Sequence, residues 1–153
     1  MDEESIRKDK NMARAVLKGL TCYAGQLACQ GREDEIRQIR RLVDAISVYW
    51  GIDGKRDWTE EFDEKMRLAG QRGTSVSSTS ISRLRTVNGL FRYAKEMSIA
   101  QGIDEIDRIL EIHDIIQRLE KDWEMPSREI DYYCDSIRKT AEQLQAVQHA
   151  MEM

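Results

Sequence analysis

The sequence predicts an all-α fold, a compact bundle of about six helices forming a single domain over 1–153, and three observations carry that prediction. Apolar residues recur at steps of three and four along nearly the whole chain, the spacing that gathers them on one face of a helix. Most of the nine glycines and the single proline fall between the periodic stretches and separate them. No sustained alternation of apolar and polar residues competes; only the short run Thr74 to Thr79 reads equally as strand or loop. A chain of 153 residues with 41% hydrophobic and 34% charged side chains has the balance of a helical globular domain, and it is long enough to bury roughly two-thirds of its unfolded surface.

The first helix is expected from Glu3 to Gln30, with Ala13, Val16, Leu17, Leu20, Ala24, Leu27 and Ala28 on one face and Gly31 at its end. The second runs from Glu33 to Trp50 through Ile36, Ile39, Val43, Ile46 and Trp50, and Gly51 stops it. Asp57 and Glu60 form a capping box that opens a short third helix carrying Trp58, Phe62, Met66 and Ala69, bracketed by Gly70 and Gly73. The hydroxyl-rich run from Thr74 to Ser80 offers several N-caps for a fourth helix reaching about Met97, with Ile81, Leu84, Val87, Phe91 and Ala94 inward. Gly102 and Asp104 introduce a fifth, in which Ile109, Ile112, Ile116, Leu119 and Trp123 keep a strict rhythm. Ile103, Ile106, Leu110 and Ile115 widen its apolar face, which predicts a central position. Pro126 and Ser127 start the last helix, where Ile130, Tyr133, Ile137, Ala141, Leu144 and Met151 repeat the spacing to the chain end.

Charge is distributed unevenly. From Lys65 to Lys95 the chain carries Lys65, Arg67, Arg72, Arg83, Arg85, Arg92 and Lys95 without one Asp or Glu, although its formal net charge is −4. A stretch cleared of carboxylates attracts phosphates, whose condensed counterions are released when cations approach. Within it, the run Val76-Ser77-Ser78-Thr79-Ser80-Ile81-Ser82-Arg83-Leu84 resembles the turn and recognition-helix half of bacterial and phage helix-turn-helix proteins. The resemblance covers about nine residues; upstream, Ala69 and Gly73 lie two residues too early for the family's alanine and glycine, so a longer turn is required. It implies that Ser78, Thr79, Ser82 and Arg83 face base edges while Arg72, Arg85, Arg92 and Lys95 hold the backbone. It also implies a regulator or accessory factor encoded by a phage or mobile element.

Enzymatic chemistry is not advertised, and no catalytic residue, cofactor or metal is expected. His113 and His149 are the only histidines and form no H-E-x-x-H pair, and the cysteines lack C-x-x-C spacing. Gly70-Gln71-Arg72-Gly73-Thr74-Ser75 lacks the lysine and preceding strand of a nucleotide-binding loop. Cys22, Cys29 and Cys134 read as free thiols, since a seven-residue helical spacing holds the first two about 10 Å apart. With no apolar run of bilayer length and an acidic start, the chain is expected to be cytoplasmic and to have no membrane partner.

Two readings of function follow. The first is a small helical nucleic-acid-binding protein, taking DNA or RNA through a basic helix near residues 78–97. The second is a protein-protein interaction module or inhibitor whose acidic surface binds a partner protein such as a nucleic-acid-binding effector. Tyr132, Tyr133, Met151 and Met153 on the terminal helix are the candidates for a contact with another chain, and a homodimer and a self-contained bundle satisfy the spacing equally.

Overall fold

The computed structural model describes residues 3–52, 58–73, 78–100, 102–125 and 128–152, with the side chain of Ile6 excepted. Among them the fold is all-α, with no strand and six α-helices: α1 (Glu3–Cys29), α2 (Glu33–Tyr49), α3 (Trp58–Arg72), α4 (Ser80–Ala100), α5 (Ile106–Asp122) and α6 (Arg128–Glu152). A 3-10 turn, Gly102–Glu105, leads into α5. The chain packs as two units, Met1–Thr86 and Val87–Met153, whose boundary falls inside α4. Asp57, Pro126 and Ser127, expected at helix starts, and Thr74 to Ser77 lie outside the described residues.

In the first unit α1 packs against both α2 and α3, and α2 against α3. The predicted stripe of α1 is buried from Ala13 to Leu27, with Tyr23 added to it, while Ala28 is only half-buried. Facing it are Ile39, Leu42, Val43 and Ile46 of α2 and Trp58, Phe62 and Ala69 of α3. Each such large side chain removed from water stabilises the fold by about 1.5–3 kcal/mol. The turn from α1 to α2 is a Schellman motif: Gly31 takes φ 71°, and the Arg32 and Gly31 N–H groups donate to Leu27 O and Ala28 O. The end of α2 repeats it, with Gly51 at φ 58° and Ile52 N–H on Ser47 O at 3.0 Å, so that Ile52 turns back into the core. α3 runs through Gly70 and ends at Arg72, between the two glycines expected to bracket its end, with Gly73 at φ 68°.

The first turns of α4 meet α1 at Gly19. A Cβ there would stand 1.8 Å from Thr86 Oγ1 and 2.9 Å from Thr86 Cβ. Thr86 is fully buried, and its hydroxyl donates to Ser82 O, so the side chain has no space to retreat into.

In the second unit α5 is central, as its wide face predicts. Ile106, Ile109, Ile112, Ile115, Ile116, Leu119 and Trp123 are all buried, and α5 packs on α6 and on the 3-10 turn. α6 answers with Ile130, Tyr133, Cys134, Ile137 and Ala141. Beyond Ala141 the stripe runs out of cover: Leu144 is half-buried and Met151 is exposed, because α6 extends past the elements it packs on. All three cysteines are free thiols, and burial pushes Cys134 up to about 11. No helix of the described residues is long and apolar enough to cross a membrane.

α4 is turned differently from expectation. Its buried side is Val87, Leu90, Tyr93, Ala94 and Met97, Phe91 is half-buried, and Ile81 and Leu84 are 65% and 48% exposed. Apolar residues lie on both faces of this helix, so periodicity alone did not select between them.

Two substitutions test these contacts. Gly19→Ala is expected to lose about 1–2 kcal/mol in a denaturant melt, the overpacking outweighing the helix-propensity gain, and Thr86→Ala in the same chain to recover part of it. The turn after α5 is a Schellman motif built on Glu124 at φ 52°, with Met125 N–H on Glu120 O at 2.8 Å. A Cβ is unfavourable in that conformation, so Glu124→Gly is expected to raise stability by about 0.5–1 kcal/mol in the same melt.

Candidate nucleic-acid interface

The eight residues that the sequence nominates divide into three groups. The first holds the start of α4 together. Thr79 Oγ1 accepts the Ser82 N–H at 3.1 Å and Thr79 O accepts the Arg83 N–H at 2.9 Å, so Thr79 is the N-cap among the several hydroxyls available. Ser78 Oγ accepts from Arg83 Nε at 2.9 Å, which draws the guanidinium back along the helix. Ser82 is half-buried, and its carbonyl takes the Thr86 hydroxyl. Ser78, Thr79, Ser82 and Arg83, expected to face base edges, are thus engaged in local bonds that shape the helix start.

The second group stands in solvent. Arg72 ends α3 and Arg85 lies in the second turn of α4; both are exposed, and neither makes a hydrogen bond or ion pair within the described residues. Arg92 is exposed as well and has its Nε 3.5 Å from Glu96 Oε2. At about 100° per residue, Ile81, Leu84, Arg85, Asn88, Arg92 and Ile99 share one sector of α4, and Glu96, the only acid of this helix, sits at its edge. Arg85 and Arg92 therefore reach the same side of one helix, two turns apart, with Asn88 between them.

Lys95 forms the third group with α6. Its Nζ donates to Ser136 Oγ at 3.2 Å and to Thr140 Oγ1 at 3.5 Å, and it lies 5.9 Å from the centre of the Phe91 ring. The same ring stacks on Tyr133, with centroids 4.3 Å apart and planes 17° from parallel. The Tyr133 hydroxyl donates to Glu129 Oε1 and accepts from Asn88 Nδ2 at 3.1 Å. Lys95 is held by two hydroxyls and a ring face, with no carboxylate among these contacts, and so keeps its charge uncompensated at the surface.

The remaining basic residues of the acid-free stretch are paired within α3. Lys65 lies 3.3 Å from Glu61, and Arg67 makes two bonds to Glu64, which hold that carboxyl below the usual range. Such exposed pairs are screened by solvent, contribute little to stability and yield readily to a competing anion.

Sequence reasoning passed over a shallow groove of about 310 Å³ between α2 and α3. Ile36, Phe62 and Met66 form its apolar floor. Arg40 closes its rim with two bonds to Asp63, at 2.8 and 3.0 Å. The engagement of Arg40 with an acid on the neighbouring helix makes it a clasp between α2 and α3, a role that no spacing in the chain signals.

The arrangement defines an all-α helical protein with a partly cationic, partly apolar helix face. No protein-family model, curated sequence or solved structure matches the chain.

Tyr133 gives this region a measurable pH response. Burial, and then the bond to Glu129, push its hydroxyl from the ordinary 10 up to about 12. The neutral form is the one favoured in the folded chain, so the stabilisation is complete below pH ~10 and is lost as pH rises toward ~12. Tyr133→Phe is expected to unfold at lower urea than wild type at pH 9, with the difference shrinking at pH 11.

Proposed function

We propose that the protein is a small nucleic-acid-binding protein, a binding factor and not an enzyme, and that the solvent side of α4 is its contact surface. The observation that carries this reading is the pair Arg85 and Arg92 on one exposed helix face, within a stretch from Lys65 to Lys95 that contains no acid. Phosphate contact needs exposed cations: Arg85 supplies one on a helix capped at Thr79, and Arg92 supplies a second, exposed although it pairs with Glu96. Arg72 adds an exposed cation at the end of α3, without a partner among the described residues. On this reading the helix-turn-helix-like run at 76–84 forms the start of the contact helix. Its hydroxyls set that helix in place, and the arginines beyond it hold the phosphates. A regulator or accessory factor of a phage or mobile element fits this chemistry.

The exposed apolar residues Ile81, Leu84 and Ile99 favour the second reading, in which the same face docks on a partner protein. Fluorescence anisotropy separates the two. Labelled duplex DNA, single-stranded DNA and RNA are titrated at about 50 and 200 mM salt. Saturable binding that weakens steeply with salt and is lost in Arg85→Glu/Arg92→Glu is the expected result; the absence of binding to all three at low salt would overturn the nucleic-acid reading.

A further inference from the structure

One exposed aromatic side chain remains outside this account. Tyr132 is 64% exposed, although two rings stand beside it: Phe91 at 6.4 Å and Tyr133 at 6.2 Å, at 56° and 60° to its plane. Those two rings are fixed, since they stack on each other and the Tyr133 hydroxyl is bonded at both its donor and acceptor sides. Tyr132 is therefore backed on one side by a rigid pair and leaves most of its own ring in water.

The helix around Tyr132 is cationic on that side. With 3.6 residues per turn, Arg128, Ser136 and Lys139 share its stripe on α6, and none of the three is an acid. Arg128 and Lys139 are exposed and make no bond or ion pair within the described residues. Ser136 leads to Lys95 on α4, 3.2 Å away, and Arg92 follows directly on Phe91. Of the nearby acids, Glu129 takes the Tyr133 hydroxyl, Asp135 lies 3.3 Å from Arg138 and Glu96 pairs with Arg92, while Asp131, beside Tyr132 in the chain, is exposed. Acids outnumber bases in the second unit as a whole, so any attraction for an anion is local and screened beyond about 10 Å.

An exposed ring backed by fixed aromatics and flanked along a helix by unpaired cations is the chemistry of a stacking platform for unpaired bases. A duplex keeps its bases stacked on one another and offers such a ring nothing, whereas a single strand presents a base face to the ring and phosphates to the cations. We infer that Tyr132 stacks on a base of single-stranded nucleic acid whose phosphates are held by Arg128 and Lys139 of α6 and by Lys95 and Arg92 of α4. The inference rests on the nucleic-acid reading and narrows it to single strands.

The test is anisotropy with a labelled single-stranded 20-mer, as DNA and as RNA, beside its duplex. Wild type is expected to prefer the single strand. Tyr132→Ala should weaken single-strand binding about tenfold and leave duplex binding unchanged. Tyr132→Trp should retain the affinity, and Tyr132→Leu, which keeps apolar bulk without a ring, should not. Arg128→Gln and Lys139→Gln should each flatten the salt dependence by about 0.7 in log–log slope. Since Tyr132 is exposed, an unchanged circular dichroism melt for its variants shows that the fold is intact. Equal affinity of wild type and Tyr132→Ala for the single strand overturns this inference and leaves the broader reading standing; no binding of any strand overturns both.

Discussion

A helix with an apolar face wider than one neighbour can cover has to be packed from two sides, and α1 is built under that constraint. Its stripe from Ala13 to Leu27 is buried without a gap, and both α2 and α3 pack against it. A third approach, that of the first turns of α4, is admitted at the one point where α1 has no side chain to obstruct it. Gly19 lets the Thr86 side chain come within a distance that any Cβ would forbid. The position of α4 in this unit, and with it the direction in which Arg85 points, depends on that missing methyl group.

α4 contributes to both units, which explains its mixed character. Thr86 serves the first unit against Gly19, and Asn88, Phe91 and Lys95 serve the second against α6. A helix with such obligations cannot keep a clean stripe. Its buried residues form one face from Val87 to Met97, yet Ile81, Leu84 and Ile99 remain on the other, beside the arginines. Cation and aliphatic carbon thus share one exposed surface of the helix.

Hydroxyl and arginine side chains near a helix start serve two purposes that compete for the same atoms. A helix leaves its first N–H groups without partners, and the nearest oxygen satisfies them before any ligand arrives. Thr79 and Ser78 are spent in this way, the latter on the guanidinium of Arg83. Arg85, a turn further along and beyond the reach of the cap, makes no bond within the described residues. At Lys95 the contacts run to two hydroxyls and a ring face.

The helical class, the six segments and the ends of α1, α2 and α3 were legible in the chain, because each depends on interactions within a few residues. Gly31 and Gly51 end helices through bonds, from their own N–H groups and those of the next residues, to carbonyls three and five residues back, and the rhythm of α5 fixes its central place by the width of its own apolar face. The acid-free stretch was legible for the same reason, since it is a property of order alone. The face that α4 buries was not, because two apolar stripes are available and only the partners choose between them. The pairings of Arg40 with Asp63, Lys95 with Ser136 and Phe91 with Tyr133 were equally hidden, each joining positions more than twenty residues apart. Local hydrogen bonds and periodicity determine which residues form a helix; which way that helix turns is decided by the surfaces that meet it, and those exist only once the chain has folded.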